Sequence, residues 1–207
     1  IQSASTNDTV ITSIEFAESK PNTEANHTAD MQYSAPTFLW GIPSIKGEEE
    51  RRHAVRETYL NFYTESEEPN RICSLRDLQT HKVALQDCQI AYTFFMGGNP
   101  DGPTELVNPN ETFPMLIKDP PTTTDEDDVI YLNIKENLED GKSQTWLKYA
   151  SMVIEEFPFD YVAKADSDTL LFTPTFLEYA EKALPNRPNN TRIYGGCESY
   201  MDSCDPK

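Results

Sequence analysis

The sequence predicts an α/β fold with a mostly parallel sheet and helices on both of its faces. Three observations carry that expectation. Short apolar runs without polar alternation recur along the chain, as strands buried on both faces require. Segments with an apolar stripe at helical spacing lie between them. The two kinds alternate in order, which is the pattern of successive βα units.

Residues 1–35 are rich in Ser, Thr, Asn, Asp and Glu with no sustained period, and read as a disordered, stem-like leader. The domain is expected over residues 36–207. Its first strand is the apolar run from Thr37 to Pro43, closed by proline. A helix follows from Glu48 to Phe62, with Glu48, Glu49 and Glu50 favouring the dipole of its first turn. Val55, Tyr59 and Phe62 share one face of that helix, and Arg52 and Arg56 line up four apart on another. Residues 64–78 read as polar and irregular.

Ile90 to Met96 is a strong second strand, ended by Gly97-Gly98-Asn99-Pro100. Residues 99–124 are dense in proline and read as a long surface loop. The acidic run from Asp125 to Asp128 reads as solvated loop. A third strand is expected from Val129 to Ile134, then a helix from Lys142 to Phe157 with Trp146, Tyr149, Ala150 and Val153 on one side. Tyr161 to Ala165 is the next strand. A helix over Pro174 to Leu184 and a short strand over Arg192 to Gly196 complete the series.

Composition bounds the partners. Hydrophobic residues at 37% and aromatics at 11% of 207 residues suffice for a core. A formal net charge of −18 argues against nucleic acid or an anionic membrane as the main partner, since both need a basic face. No run of 18 apolar residues occurs, so none of this chain reads as a membrane span. Sequons at Asn7, Asn26, Asn110 and Asn189 point to the secretory pathway. Four cysteines are compatible with two disulfides in three connectivities, or with four reduced thiols. Cys197 and Cys204 are near enough to close a small loop, which would leave Cys73 with Cys88.

The strand from Tyr161 runs into Asp166-Ser167-Asp168. In an extended backbone residues i and i+2 point to one face, so the two carboxylates can converge. Converging carboxylates repel unless a positive charge lies between them. A Mg²⁺ or Mn²⁺ ion meets that need, because it takes few protein oxygens and shares the rest of its shell with substrate phosphate. The plain alternative is a solvated turn. A position between strand and helix, where open α/β sheets bind ligands, favours metal and nucleotide. Such a cation would also reconcile an anionic nucleotide with a strongly acidic chain.

Three blocks in order resemble the β-1,3-galactosyltransferase family. Gly41-Ile42-Pro43-Ser44 and Arg51-Arg52-His53-Ala54-Val55-Arg56-Glu57-Thr58-Tyr59 are similar to its first strand and R-R-x-A-[IV]-R-x-T-[WY] helix. Val129 to Asn133 with Glu136 to Ser143 resembles the stretch before its central helix, closest to the E-N-x-x-x-G-K form of protist and algal members. Tyr161 to Asp168 matches the [FY]-[VIL]-x-K-x-D-[DS]-D block. Ser167 stands where many members carry Asp.

The resemblance implies a GT-A-like, Rossmann-like fold, and inverting transfer of a hexose from a UDP-sugar to a glycan hydroxyl through a β-1,3 link. It implies Mn²⁺ held by Asp166 and Asp168. Arg51, Arg52, Arg56, Lys164 and Ser167 join them on the nucleotide side, while His53 reads as helix surface. It further implies a Golgi lumenal enzyme, type II in full length, whose membrane anchor lies upstream of Ile1; the alternative is a secreted protein. Residues 36–207 would be the UDP-sugar-binding part, with the catalytic base and much of the acceptor site beyond Lys207. A second reading is a non-catalytic secreted glycan-binding or structural glycoprotein that keeps the fold. A metal-dependent phosphatase or nuclease fits less well, because His27, His53 and His81 are scattered.

Overall fold

The computed structural model describes residues 35–61, 71–106, 114–118, 125–137, 141–187, 189–190 and 193. Five strands form one sheet: β1 Phe38–Pro43, β2 Ile72–Ser74, β3 Ile90–Gly97, β4 Val129–Leu132 and β5 Tyr161–Lys164. Their order is β2-β3-β1-β5, with β4 also on β3, and every pairing among them is parallel. β1 lies along β3 from Phe38↔Ile90 to Pro43↔Phe95. That leaves β2 and β4 to share the opposite edge of β3, β2 beside Ile90 to Tyr92 and β4 beside Phe94 to Gly97. Thr93 stands at the join, and its hydroxyl donates to the Asp128 carbonyl at 2.9 Å.

Strand alternation sorts the core into two layers. Phe38, Trp40 and Ile42 of β1 and Ile90, Phe94 and Met96 of β3 face one side. They meet Val55 of α1 (Glu49–Glu57) and Leu177 and Ala180 of α4 (Thr173–Ala183). Phe176 of α4 sets its ring edge-on to Phe38 and Trp40, at 5.0 and 5.3 Å between centroids. Leu39, Ala91 and Phe95 face the other side. There they meet Leu75 and Leu78 of α2 (Leu75–Gln79) and Trp146, Tyr149, Ala150 and Val153 of α3 (Lys142–Glu156). The fold is thus α/β and Rossmann-like, with helices on both faces. No helix among the described residues is long and apolar enough to cross a membrane.

Four differences from the sequence reading have physical causes. α1 stops at Glu57 rather than Phe62, because the Thr58 hydroxyl turns back onto the Ala54 carbonyl at 2.6 Å and the Leu60 amide bonds Val55. Tyr59 is buried all the same, so the apolar stripe outlasts the helix. β2 and α2 occupy part of the stretch read as irregular. The Ser74 hydroxyl caps α2 by accepting from the Asp77 amide at 3.1 Å, and the Cys73–Cys88 disulfide fastens β2 beside β3.

Part of the proline-rich stretch belongs to the core. Leu106 and Met115 are buried, Leu116 bridges Leu132, and the Asn133 amide donates to the Met115 carbonyl at 2.8 Å. The acidic run is solvated loop only in part: Asp125 and Asp127 are exposed, but Glu126 and Asp128 are engaged by arginines. Most of the leader, all but Ile193 of the strand expected over Arg192 to Gly196, the sequons at Asn7, Asn26 and Asn110, and Cys197 with Cys204 lie outside the described residues.

Candidate functional site

The C-terminal ends of β1 and β5 lie side by side, with Gly41 paired to Lys164 and the Ala165 amide donating to the Gly41 carbonyl at 3.1 Å. β5 ends there. Asp166, Ser167 and Asp168 form a turn rather than a strand extension, closed by the Thr169 amide on the Asp166 carbonyl at 2.9 Å. The i and i+2 argument for one shared face therefore gives way to a turn that leaves both carboxylates exposed. Lys164 donates to Asp166 and forms an ion pair with it. Ser167 is half-buried in the middle of the turn.

The loop that follows the turn is anchored at its far end. The Thr173 hydroxyl, at the start of α4, donates to the Tyr59 carbonyl at 2.6 Å. Tyr59 itself is 2% exposed, and its hydroxyl has no hydrogen-bond partner among the described residues. Burial and then the negative charge of Asp166 push its pKa up to about 12, so it stays a protonated donor.

The arginines of α1 have carboxylate partners. Arg51 donates to Glu48 at 2.9 Å at the surface. Arg52 is completely buried. Its Nη1 donates to Ser44 Oγ at 2.9 Å and to the Ile45 carbonyl at 3.0 Å, while Nε and Nη2 donate to Glu126 at 2.9 and 2.5 Å. Arg56 donates through Nη1 to Glu126 at 2.7 Å and through Nε and Nη2 to Asp128 at 2.8 and 2.6 Å. Its guanidinium also stands 4.8 Å over the Phe94 ring. Burial disfavours the Arg56 charge, but the hydrogen bonds and charges of Asp128 and Glu126 more than offset it and raise its pKa. The expected residues thus do not meet in one cluster: Lys164 pairs with Asp166 after β5, while Arg52 and Arg56 pair with Glu126 and Asp128.

A third group was not anticipated in composition or spacing. Lys142, only 3% exposed, donates to the Ser44 carbonyl at 2.7 Å and to Glu136 Oε1 at 2.6 Å. Glu136 Oε2 accepts from the Gly97 amide at 2.7 Å. A β-carbon on Gly97 would stand 2.6 Å from the Glu136 backbone, so the close approach needs glycine. One buried cation therefore ties together the segments after β1, β3 and β4. Ser44 is shared between this clamp and Arg52, which makes the C-terminal rim of the sheet rigid. In the sequence Glu136 and Lys142 both stood in the Glu136 to Ser143 block of the resemblance, with nothing to show that they would pair.

Hard, exposed carboxylates at Asp166 and Asp168 suit a Mn²⁺ or Mg²⁺ ion. Among the described residues no three His, Cys, Asp or Glu side chains gather to hold an ion. A cation here would use these two carboxylates and complete its shell from phosphate and water. Comparison with protein-family models, with curated proteins and with solved structures finds no match for this chain.

Proposed function

We propose that the chain is a metal-dependent glycosyltransferase of GT-A type that takes a hexose, galactose or N-acetylglucosamine, from a UDP-sugar. The acceptor is a glycan hydroxyl and the new bond a β-1,3 link formed with inversion. The observation that carries this reading is the exposed Asp166-Ser167-Asp168 turn at the C-terminal end of β5, which pairs in parallel with β1 at the end of the described sheet. In open parallel sheets this rim is where nucleotides bind. The resemblance of the blocks around Arg52, Glu136 and Asp166 to β-1,3-galactosyltransferases supports the choice of donor.

Asp166 and Asp168 would hold Mn²⁺, and such an ion would supply the positive charge that a diphosphate leaving group needs. Lys164 pairs with Asp166, and in this reading it would pass from that carboxylate to a phosphate oxygen. The buried clamp of Lys142, Glu136 and Ser44 keeps the rim rigid, so that donor and cation are positioned rather than merely bound. Arg52 and Arg56 brace α1 against the segment before β4. Arg51, on the exposed face of the same helix, remains the arginine most available to a nucleotide. The Cys73–Cys88 disulfide supports an oxidising compartment, as a Golgi lumenal or secreted protein requires.

The reading is tested by ligand-observed NMR with Mn²⁺ replaced by Mg²⁺, using UDP-galactose, UDP-N-acetylglucosamine, ADP-glucose and GDP-mannose. Saturation transfer to the UDP-sugars in preference to the others is the expected result. Equal transfer to all four, or to none, contradicts it.

A further inference from the structure

The proposed function makes no use of the sequon at Asn189, which Asn190 and Thr191 complete without a proline in the middle. The two adjacent asparagines have opposite tasks. Asn190 is half-buried, and its side-chain amide donates to the Asp160 carbonyl at 2.5 Å. Arg187 holds the same stretch, its backbone amide on the Asp160 carboxylate at 3.1 Å and its guanidinium on the Phe159 carbonyl at 2.5 Å. Asn189 is fixed through its backbone, whose N–H donates to the Asn186 carbonyl at 2.9 Å and closes a turn. Its side chain is exposed, and the side-chain amide has no hydrogen-bond partner among the described residues.

We propose that Asn189 carries an N-linked glycan in the folded protein. The donor is an oligosaccharide held on a polyprenyl diphosphate. A bond forms between Asn189 Nδ2 and the anomeric carbon of the first sugar. The bond from that carbon to the diphosphate oxygen breaks, and the amide gives up one proton. A sugar on Asn190 would break the bond to Asp160, whereas one on Asn189 costs no internal hydrogen bond and leaves into solvent. The Cys73–Cys88 disulfide belongs to the same oxidising compartment in which such transfer takes place. Asn190 is bonded to the residue that precedes β5, and the Asp166 turn follows that strand. The glycan therefore stands at the opposite end of β5 from the candidate donor site.

Mass spectrometry of the peptide containing Asn189 tests this, on the full chain secreted from eukaryotic cells behind a cleavable signal. Release of the glycan by an amidase in heavy-oxygen water should convert Asn189 to Asp and label it with the heavy isotope. Asn189→Gln and Thr191→Ala should each abolish that label, and the secreted Asn189→Gln chain should lose the mass of one glycan. Once both are stripped of glycans, Asn189→Gln and the parent should melt at the same temperature, because no internal bond has been removed. An unmodified Asn189 in the secreted protein overturns the inference, whatever the other sequons carry. A lower melting temperature for Asn189→Gln also overturns it, since the amide would then serve an internal partner instead of a sugar.

Discussion

The indole of Trp146 fills the space that a side chain at Gly41 would need: a β-carbon there would stand 2.1 Å from Trp146 Cε2. The same indole stacks on Phe95 at 5.1 Å between ring centroids. α3 thereby seats directly on β1 and β3, at the register where β1 meets Lys164 of β5.

Gly41→Ala should therefore overpack this contact and lower stability by about 1–3 kcal/mol. Trp146→Leu opens the space, so the same glycine substitution should cost much less in that background. Urea unfolding of the four proteins measures the coupling. Additive effects would show that the indole does not set the residue at position 41.

Glu126 answers two guanidinium groups, one of them fully buried. Glu126→Gln should cost on the order of 3 kcal/mol, because it leaves the buried Arg52 with only the distant, exposed Glu49 carboxylate at 3.7 Å as counter-ion. Partial burial alone would raise the Glu126 pKa, but hydrogen bonds from Arg52 and Arg56 prevail and lower it below the ordinary 4.5. A depressed folded-state pKa contributes stability that is fully present above that ordinary value and is lost as pH falls through the folded one. Urea midpoints measured downward from pH 6 should drop in this acid range for the parent, and less steeply for Glu126→Gln.

The Cys73–Cys88 bridge closes a separation of 15 residues. Replacing both cysteines with alanine should lower stability by about 3 kcal/mol, chiefly by releasing the unfolded chain. Hydrogen exchange should show β2 losing protection first, since it is a three-residue edge strand whose one strand partner is β3.

How far the fold was legible depends on where each segment's information lies. β3 and α3 declare themselves locally: Ile90 to Met96 is uninterrupted, and Trp146, Tyr149, Ala150 and Val153 all reach the core from one stripe. β2 is too short to show a period, and its place depends on a sulfur bond to Cys88. The nearer clue was Ser74 three residues before Asp77, a capping pattern inside a stretch otherwise read as irregular. The partners of Arg52 and Arg56 are some seventy residues away, at separations of 74 and 72, so nothing local distinguishes Glu126 and Asp128 from solvated acids. At the candidate site the two aspartates stood out by spacing alone.

The central claim is that Asp166 and Asp168 bind a nucleotide diphosphate through a shared divalent cation. Calorimetric titration of UDP into the protein tests it most directly, with Mn²⁺, with EDTA, and in Asp166→Asn and Asp168→Asn. Binding with Mn²⁺ is expected to be lost in EDTA and weakened at least tenfold in either variant. Affinity that is unchanged by EDTA, or retained in both variants, would contradict it.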